Sequence, residues 1–522
     1  MNDLGSIAGP VVETGSGQVR GAIVEGVAAF KSVPYGAPTS GANRFMPPRK
    51  PVPWAGIRDA TAYAGQSPQS REGPAARPEL ADFSGPADDS PETEDCLTLN
   101  IWSAEPHAGV KRPVMVWFHG GAFSFGSANA ARLTGSRLCK RGGVVVVTVN
   151  QRLNIFGHLD LSSLGGAAFA HSGNAGTLDM VAALEWVRDN IDRFGGDPGN
   201  VTIFGESGGG GKVSTLMAMP MARGLFHRAI VQSGAVVRLR DADRAARLTE
   251  AVLRELSLDA TELKKLQALP IARLLAAIGP AVKAIGPSPT PLFDRYPFGP
   301  VVDGQVVPRH PFDPDAPDIS ADIPLLIGDM KDEAASFLAH DDKIWNRTLT
   351  EPELRARVAA VAGAHTDRVI ETYRRLYPAM TPAERLLATL TDSNFRIRSL
   401  VLAERKAKRG GAPVYTYAFE WETPLFGGKL KSPHALDVPF TFDTIDLTNA
   451  TDNGAEAHAL AAKMSATWAA FAHSGKPEHP SIPAWPAYTL ADRATLILDN
   501  ACRVVADPRR ETRLLWQEIA GA

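Results

Sequence analysis

The 522-residue chain is poor in the features that mark several large protein classes. It holds three cysteines, Cys96, Cys139 and Cys502, too few and too far apart for a disulfide framework and matching no zinc spacing. No metal site is expected from them. Apolar runs stay strand-sized, well short of the ~20 residues a membrane-spanning helix needs. Neither sign of charge dominates: 55 Lys and Arg stand against 57 Asp and Glu, a formal net charge of -2. The basic excess of a nucleic-acid binder is therefore missing. The opening decapeptide, MNDLGSIAGP, lacks the basic and apolar stretches of a signal peptide, so a cytoplasmic protein is expected. A processed form of an exported protein would begin in the same way. Repeats, low-complexity tracts and domain-dividing linkers are also missing. What is present is ordinary globular composition, 44% hydrophobic and 21% charged. At several times the usual domain length of about 100–150 residues, the chain allows two to four domains. Without a linker to cut it, one elaborated domain over residues 1–522 is the expectation.

Residues 18–23 and 27–32 read as short strands, residues 46–54 as a Pro-rich connection, and 65–95 as an irregular surface loop. From residue 113 the pattern changes. Residues 114–118 and 144–149 are short apolar runs, the second rich in β-branched residues, as suits strands buried on both faces of a mostly parallel sheet. Leu178, Val181, Leu184, Val187, Ile191 and Phe194 recur at steps of three and four, which predicts an amphipathic helix closed by Gly195-Gly196. A strand at 200–204, a Gly-rich turn and a helix at 212–219 follow. Residues 323–327 and 414–419 read as further strands, and about 240–290 as a helical insertion. Alternation of this kind predicts an α/β fold with a large, mostly parallel sheet flanked by helices.

Gly205-Glu206-Ser207-Gly208-Gly209 fits G-x-S-x-G between a predicted strand and a predicted helix. In that setting the serine occupies a sharp turn at the carboxyl edge of the sheet, with its hydroxyl projecting above it. A tight Gly-rich turn without chemistry fits the same five residues. The neighbouring Gly208–Lys212 run imitates part of a phosphate-binding loop, but Glu206 stands where that motif needs its first glycine. Val213 stands where it needs a hydroxyl, so the imitation fails. Upstream, His119-Gly120-Gly121-Ala122-Phe123 follows a strand directly. Such a loop can aim backbone N–H groups at an oxyanion, which nominates Gly121 and Ala122, with Gly208 as the donor after the nucleophile. A general base is also required, and twelve histidines compete for that role on chemistry alone.

These segments together resemble the type-B carboxylesterases, the family of the cholinesterases and bacterial p-nitrobenzyl esterases, over nearly the whole chain. Glu94-Asp95-Cys96-Leu97-Thr98-Leu99-Asn100 is similar to the family's EDCLxLN signature, and Asn150-Gln151-Arg152-Leu153 with Phe156-Gly157 to its NYRLxxFG segment. Phe194-Gly195-Gly196-Asp197-Pro198 and Gln232-Ser233-Gly234 match as well. The resemblance implies an α/β-hydrolase fold and a cofactor-free serine esterase acting on small-molecule esters. It selects Glu333, in Gly328-Asp329-Met330-Lys331-Asp332-Glu333, as the acid over Asp329 and Asp332. It selects His434, in Ser432-Pro433-His434-Ala435-Leu436-Asp437, as the base over His119. Glu206 and Ser233 are implied as supporting groups behind the Ser207–His434–Glu333 triad, and Tyr296 and Phe298 as lining of the acyl pocket.

The chain departs from the family in three places. Secreted relatives pair the cysteine of EDCL with one upstream; Ser67 stands at that position here, leaving Cys96 without a partner. Gly208 replaces the usual alanine after the nucleophile. No tryptophan lies between Trp54 and Trp102, where cholinesterases bind choline. Two alternatives remain beside the esterase: an amidase or lactonase on the same residues, and a non-catalytic adhesion protein of the same fold, which the intact triad disfavours.

Overall fold

The computed structural model describes residues 9–70, 77–80, 83–107, 109–287 and 296–521. Its strands, in chain order, are β1 (Val11–Thr14), β2 (Gly17–Arg20), β3 (Ala22–Val24), β4 (Val27–Pro34), β5 (Ile57–Asp59), β6 (Thr98–Ser103) and β7 (Arg112–Phe118). They continue with β8 (Val145–Val149), β9 (Gly196–Glu206), β10 (Arg228–Gln232), β11 (Leu325–Met330), β12 (Val414–Phe419), β13 (Ala494–Leu498) and β14 (Arg503–Ala506). Eleven of them form one sheet in the order β14-β13-β12-β11-β10-β9-β7-β8-β6-β4-β3, while β1, β2 and β5 form a small separate one. From β8 through β7, β9, β10, β11 and β12 to β13 every neighbouring pair is parallel. Antiparallel pairing is confined to the two margins. The mostly parallel sheet expected from the apolar runs is therefore present.

Strand periodicity explains why those runs are continuous. In β7, Val114, Val116 and Phe118 enter one hydrophobic core while Met115 and Trp117 enter the other, and β8 divides its valines in the same way. Helix Ala175–Asn190 covers one face and helix Ala455–Ser474 the other. The first of these is not the half-exposed helix the sequence suggests. Apart from Ala182, Glu185, Arg188 and Asp189 its residues are all buried, so its polar positions are internal as well. The helices at Ala242–Glu255, Leu263–Ala268, Ile271–Ala276 and Ile278–Ile285 pack with Phe45, Ile155 and Phe156 in a core of their own.

Two expectations need correction near the amino terminus. Residues 18–23 are not one strand: the chain leaves the small sheet at Arg20 and enters the large one at Ala22. Gly21 makes that step, because a Cβ there would lie 2.6 Å from the Ala29 carbonyl and 2.8 Å from the Phe30 ring. Within residues 65–95, the stretch Gln66–Gln69 is buried rather than superficial. The Gln69 amide accepts from the Gly126 N–H at 2.8 Å and donates to the Gly126 carbonyl at 3.2 Å, and Gln66 donates to the Ser90 carbonyl at 2.8 Å. The Ser67 hydroxyl accepts from the Leu153 N–H at 3.2 Å, and all three cysteines are free.

The Arg152 of the NQRL segment is the strongest buried tie. Its guanidinium meets Asp179 with two contacts of 2.8 and 2.6 Å, and its own backbone N–H donates to the same carboxylate at 3.0 Å. A further bond of 2.7 Å reaches the Met46 carbonyl. The pair fastens the loop after β8 to helix Ala175–Asn190 and to the Pro-rich connection, with exposures of 1% and 0%. Removing one partner strands a buried charge. Asp179→Asn is expected to lower the unfolding free energy by about 3–5 kcal/mol in a denaturant titration. A loss below about 1 kcal/mol would show that the pair does not hold these segments.

Candidate active site

The parallel strands end at one level. Phe118 of β7 lies opposite Gly205 of β9, Glu206 opposite Gln232 of β10, Gln232 opposite Gly328 of β11, and Met330 opposite Phe419 of β12. The segments beginning at His119, Ser207, Ser233 and Lys331 therefore emerge side by side at the carboxyl edge, where open α/β sheets place their ligands.

Ser207 joins β9 to helix Gly208–Leu216, which begins directly after it and not at residue 212 as expected. Its backbone sits at φ 55, ψ -122, a conformation that costs a non-glycine residue about 1–3 kcal/mol. Three neighbours hold it there. Ser207 N–H donates to the Gln232 carbonyl at 2.8 Å, Gly211 N–H donates to the Ser207 carbonyl at 3.0 Å, and Gly234 lies so close that a Cβ would be 1.9 Å from that carbonyl. Gly205 and Gly209 pass each other with no room for a side chain, since a Cβ on Gly205 would lie 2.5 Å from the Gly209 backbone.

The loop after β7 rests on this turn. A Cβ on Gly208 would lie 2.4 Å from Ala122 N and 2.3 Å from its Cα, and one on Gly120 would lie 2.9 Å from the Glu206 carboxylate. Gly121 has φ 86 and Ala122 φ 55, with the Ser124 and Phe125 N–H groups both donating to the Gly121 carbonyl at 3.1 Å. The structure thus brings Gly121, Ala122 and Gly208 together. It also accounts for the glycine at 208: an alanine would strike Ala122.

On the next two loops Glu333 and His434 meet, with Nδ1 2.5 Å from Oε2. The other carboxylate oxygen of Glu333 accepts from the Met330 N–H at 2.9 Å, which fixes the fully buried side chain. The competing acids are engaged elsewhere. Asp329 pairs with Arg396 at 3.0 Å, and Asp332 faces the backbone of Ser432, donating its N–H to the Ser432 carbonyl at 3.0 Å. His119, the competing base, is buried behind the loop. Burial first, with the Lys212 charge adding, pushes its imidazole well below the usual range. His434 Nε2 lies 3.2 Å from Glu206 Oε1, and it has no hydrogen bond to Ser207 in this structure.

Glu206 Oε1, His434 Nε2, Ser233 Oγ and Asp437 Oδ1 are all buried polar atoms without a hydrogen-bond partner among the described residues, the first two lying 3.2 Å apart. Their electrostatics are coupled. Burial raises the Glu206 carboxyl, and the nearby Asp437 and Glu333 raise it further against the pull of His434 and Arg132. Burial alone would lower His434, but Glu206 and Glu333 outweigh it and the imidazole is raised. The two titrations are linked, because each group is among the charges that shift the other. Ser233 sits at the end of β10 with φ 50 and its N–H on the Gly328 carbonyl at 2.8 Å.

The two nominated pocket aromatics part company. The Tyr296 ring lies 5.2 Å from Phe125, beside the glycine loop, whereas Phe298 is 1% exposed within the core under the 242–285 helices. Sequence reasoning missed the aromatics that do touch the imidazole: Phe337 and Phe395, with ring centroids 4.9 and 5.0 Å from His434. Phe395 is delivered by a π-helical turn, Asp392–Arg396, whose Arg396 also binds the Met330 carbonyl at 3.0 Å. Neither spacing nor motif announces that turn. Arg132, half-buried near Glu206, was missed as well.

Comparison with known proteins identifies the family and the fold. The model of the "Carboxylesterase family" matches residues 8–515. The para-nitrobenzyl esterase of Bacillus subtilis (strain 168) is 35% identical over 509 residues, 96% of this chain and 97% of that one. The phenmedipham hydrolase of Pseudarthrobacter oxydans is 32% identical over 97% of this chain and 98% of its own. Among solved structures, the Geobacillus stearothermophilus carboxylesterase EST55 superposes with a TM-score of 0.83 at 38% identity, covering 97% of this chain and all of that one. The α/β-hydrolase fold expected from the resemblance is that of these neighbours.

The coupled pair gives a measurable shift. In an NMR titration the His434 imidazole is expected to stay protonated above the ordinary histidine value of about 6.5, and Glu206→Gln should lower its midpoint. A His434 that titrates at the ordinary value, unmoved by the substitution, would dissolve the pair.

Proposed function

The chain belongs to the carboxylesterase family and is a carboxylic-ester hydrolase acting on small-molecule esters; from that premise we propose that it works through an acyl-enzyme on Ser207, with His434 as base and Glu333 as its orienting acid. Ser207 Oγ attacks the ester carbonyl and its proton passes to His434 Nε2. The carbonyl oxygen, now an oxyanion, takes hydrogen bonds from the N–H groups of Gly121, Ala122 and Gly208. The tetrahedral adduct collapses, the bond to the alcohol oxygen breaks, and His434 returns the proton to the departing alcohol. Water then attacks the acyl-serine, again losing a proton to His434, and the acid leaves as Ser207 is reprotonated. Glu333, fixed by the Met330 N–H, holds the imidazole with Nε2 turned toward the reaction and offsets its charge when protonated.

One observation carries the reading: Ser207 is kept in a strained backbone conformation by three neighbours, on a turn that bare backbone from the loop of β7 approaches closely. Strain held this firmly is a hallmark of a functional position. Glu206, 3.2 Å from His434 Nε2, and Ser233 support the imidazole, and Tyr296 borders the acyl side. Residues 1–522 act as one unit on this reading, because the sheet that carries the site draws strands from Ala22 to Ala506. A cytoplasmic setting fits three free thiols, and no helix among the described residues is long and apolar enough to cross a membrane.

The test is hydrolysis of p-nitrophenyl esters from acetate to palmitate by wild type and Ser207→Ala, with fluorophosphonate labelling in parallel. Wild type is expected to hydrolyse and to label. Ser207→Ala should lose about five to six powers of ten in kcat and label nowhere. A mutant retaining wild-type turnover would remove Ser207 from the mechanism.

A further inference from the structure

Lys212 is a lysine with 0% exposure, one turn into the helix that follows Ser207. No carboxylate lies within ion-pair distance of it among the described residues. A buried ammonium without a counter-ion is costly, and a small or apolar residue would be the cheaper occupant of a helix interior. Its contacts show what it does instead. Nζ donates to the His119 carbonyl at 2.7 Å and lies 5.6 Å from the centre of the Phe123 ring. With the Gln151 amide assigned so that its nitrogen donates to the Val149 carbonyl, its oxygen accepts from Nζ at 3.2 Å.

His119 opens the loop that carries Gly121 and Ala122. Sheet pairing between β7 and β9 reaches Phe118 and Gly205 and goes no further. Beyond that point the loop and the helix meet as bare backbone. A Cβ on Gly209 would lie 1.9 Å from the Phe118 carbonyl and 3.1 Å from that of His119, and a Cβ on Gly208 would strike Ala122. Backbone in contact at this distance is close but not tied. Among the described residues the Lys212 contact is the one hydrogen bond that joins the helix to the segment His119–Ala122.

We propose that Lys212 is a positioning residue of the oxyanion hole: its ammonium grips the His119 carbonyl and so holds the N–H donors of the β7 loop in register with the N–H of Gly208. The proposal rests on the Ser207 reading above. The donors it aligns come from two separate segments, and a hole built from two segments is only as accurate as the tie between them. Burial lowers the Lys212 ammonium to about 7; the amino group keeps N–H donors for the His119 carbonyl and the Gln151 oxygen in either protonation state.

The test compares wild type with Lys212→Met, which keeps length and removes the donor, and with Lys212→Gln, whose amide can still donate to the His119 carbonyl. Turnover of p-nitrophenyl butyrate and inhibition by an alkyl trifluoromethyl ketone, which adds to the serine as a tetrahedral oxyanion, are measured on each. Lys212→Met is expected to lose about 10- to 100-fold in kcat, with KM within about 3-fold. The ketone should weaken by the same factor as kcat/KM, and Lys212→Gln should recover part of both. A folded Lys212→Met with wild-type kcat, or one whose loss falls on KM while the ketone binds as before, overturns the proposal. So does failure of both variants to fold, which would make Lys212 a core residue. A wild type that neither hydrolyses nor labels overturns the Ser207 reading itself, an outcome distinct from an active wild type matched by an equally active Lys212→Met.

Discussion

Everything around the site depends on one constraint: Ser207 must turn the chain from strand to helix within a single residue, and it can do so only where neighbouring backbones come closer than any side chain permits. Gly205, Gly208, Gly209 and Gly234 are each occupied, at the position of a missing Cβ, by a carbonyl or backbone atom of another segment. The strain at Ser207 is therefore balanced by close-packed main chain and by the hydrogen bonds of Gln232 and Gly211. The same crowding that enforces the turn also draws the loop of β7 onto it. One geometric demand thus shapes both the Ser207 turn and the loop facing it, and the registers of β7, β9 and β10 supply the platform.

Opposite that crowded backbone lies a crowded set of charges. Glu206, Asp437 and His434 lie close to Glu333, and burial disfavours the ionised form of each of the three. Asp437 is partly relieved by the Gln232 amide at 2.9 Å and the Tyr417 hydroxyl at 3.0 Å, and Glu333 by a backbone N–H. Glu206 has the least relief. On the proposed mechanism His434 accepts and returns a proton in each half-reaction, and these neighbours set how readily it does so.

Much of this was legible in the sequence, and the reasons are local. The glycines flanking Ser207, the small residues after His119 and the apolar runs of β7, β8 and β12 declare themselves because backbone geometry and strand burial restrict which residues fit. Glu333 and His434 were legible only through family resemblance; no spacing rule links positions a hundred residues apart. The helix at 175–190 misled because its buried face is nearly the whole circumference, so periodicity overstated its exposure. The start of the helix after Ser207 was misplaced because four consecutive glycines carry no helical signal, yet the elbow forces them into one. Phe337 and Phe395 escaped because a π-turn sets one of them, and a single inserted residue leaves no trace in a hydrophobic pattern. Lys212 was visible but was considered only as part of a failed phosphate loop.

The buried run Gln66–Gln69 sets the character of the molecule in another respect. Gln69 clasps Gly126, next to the His119 loop, through amide hydrogen bonds. Each such bond contributes about 1 kcal/mol net, and none of them involves a thiol. Thiol reagents have no purchase on them. The environment's redox poise and the local mobility of the loop are consequently independent variables in this chain, and heat rather than reductant is the agent that would loosen it.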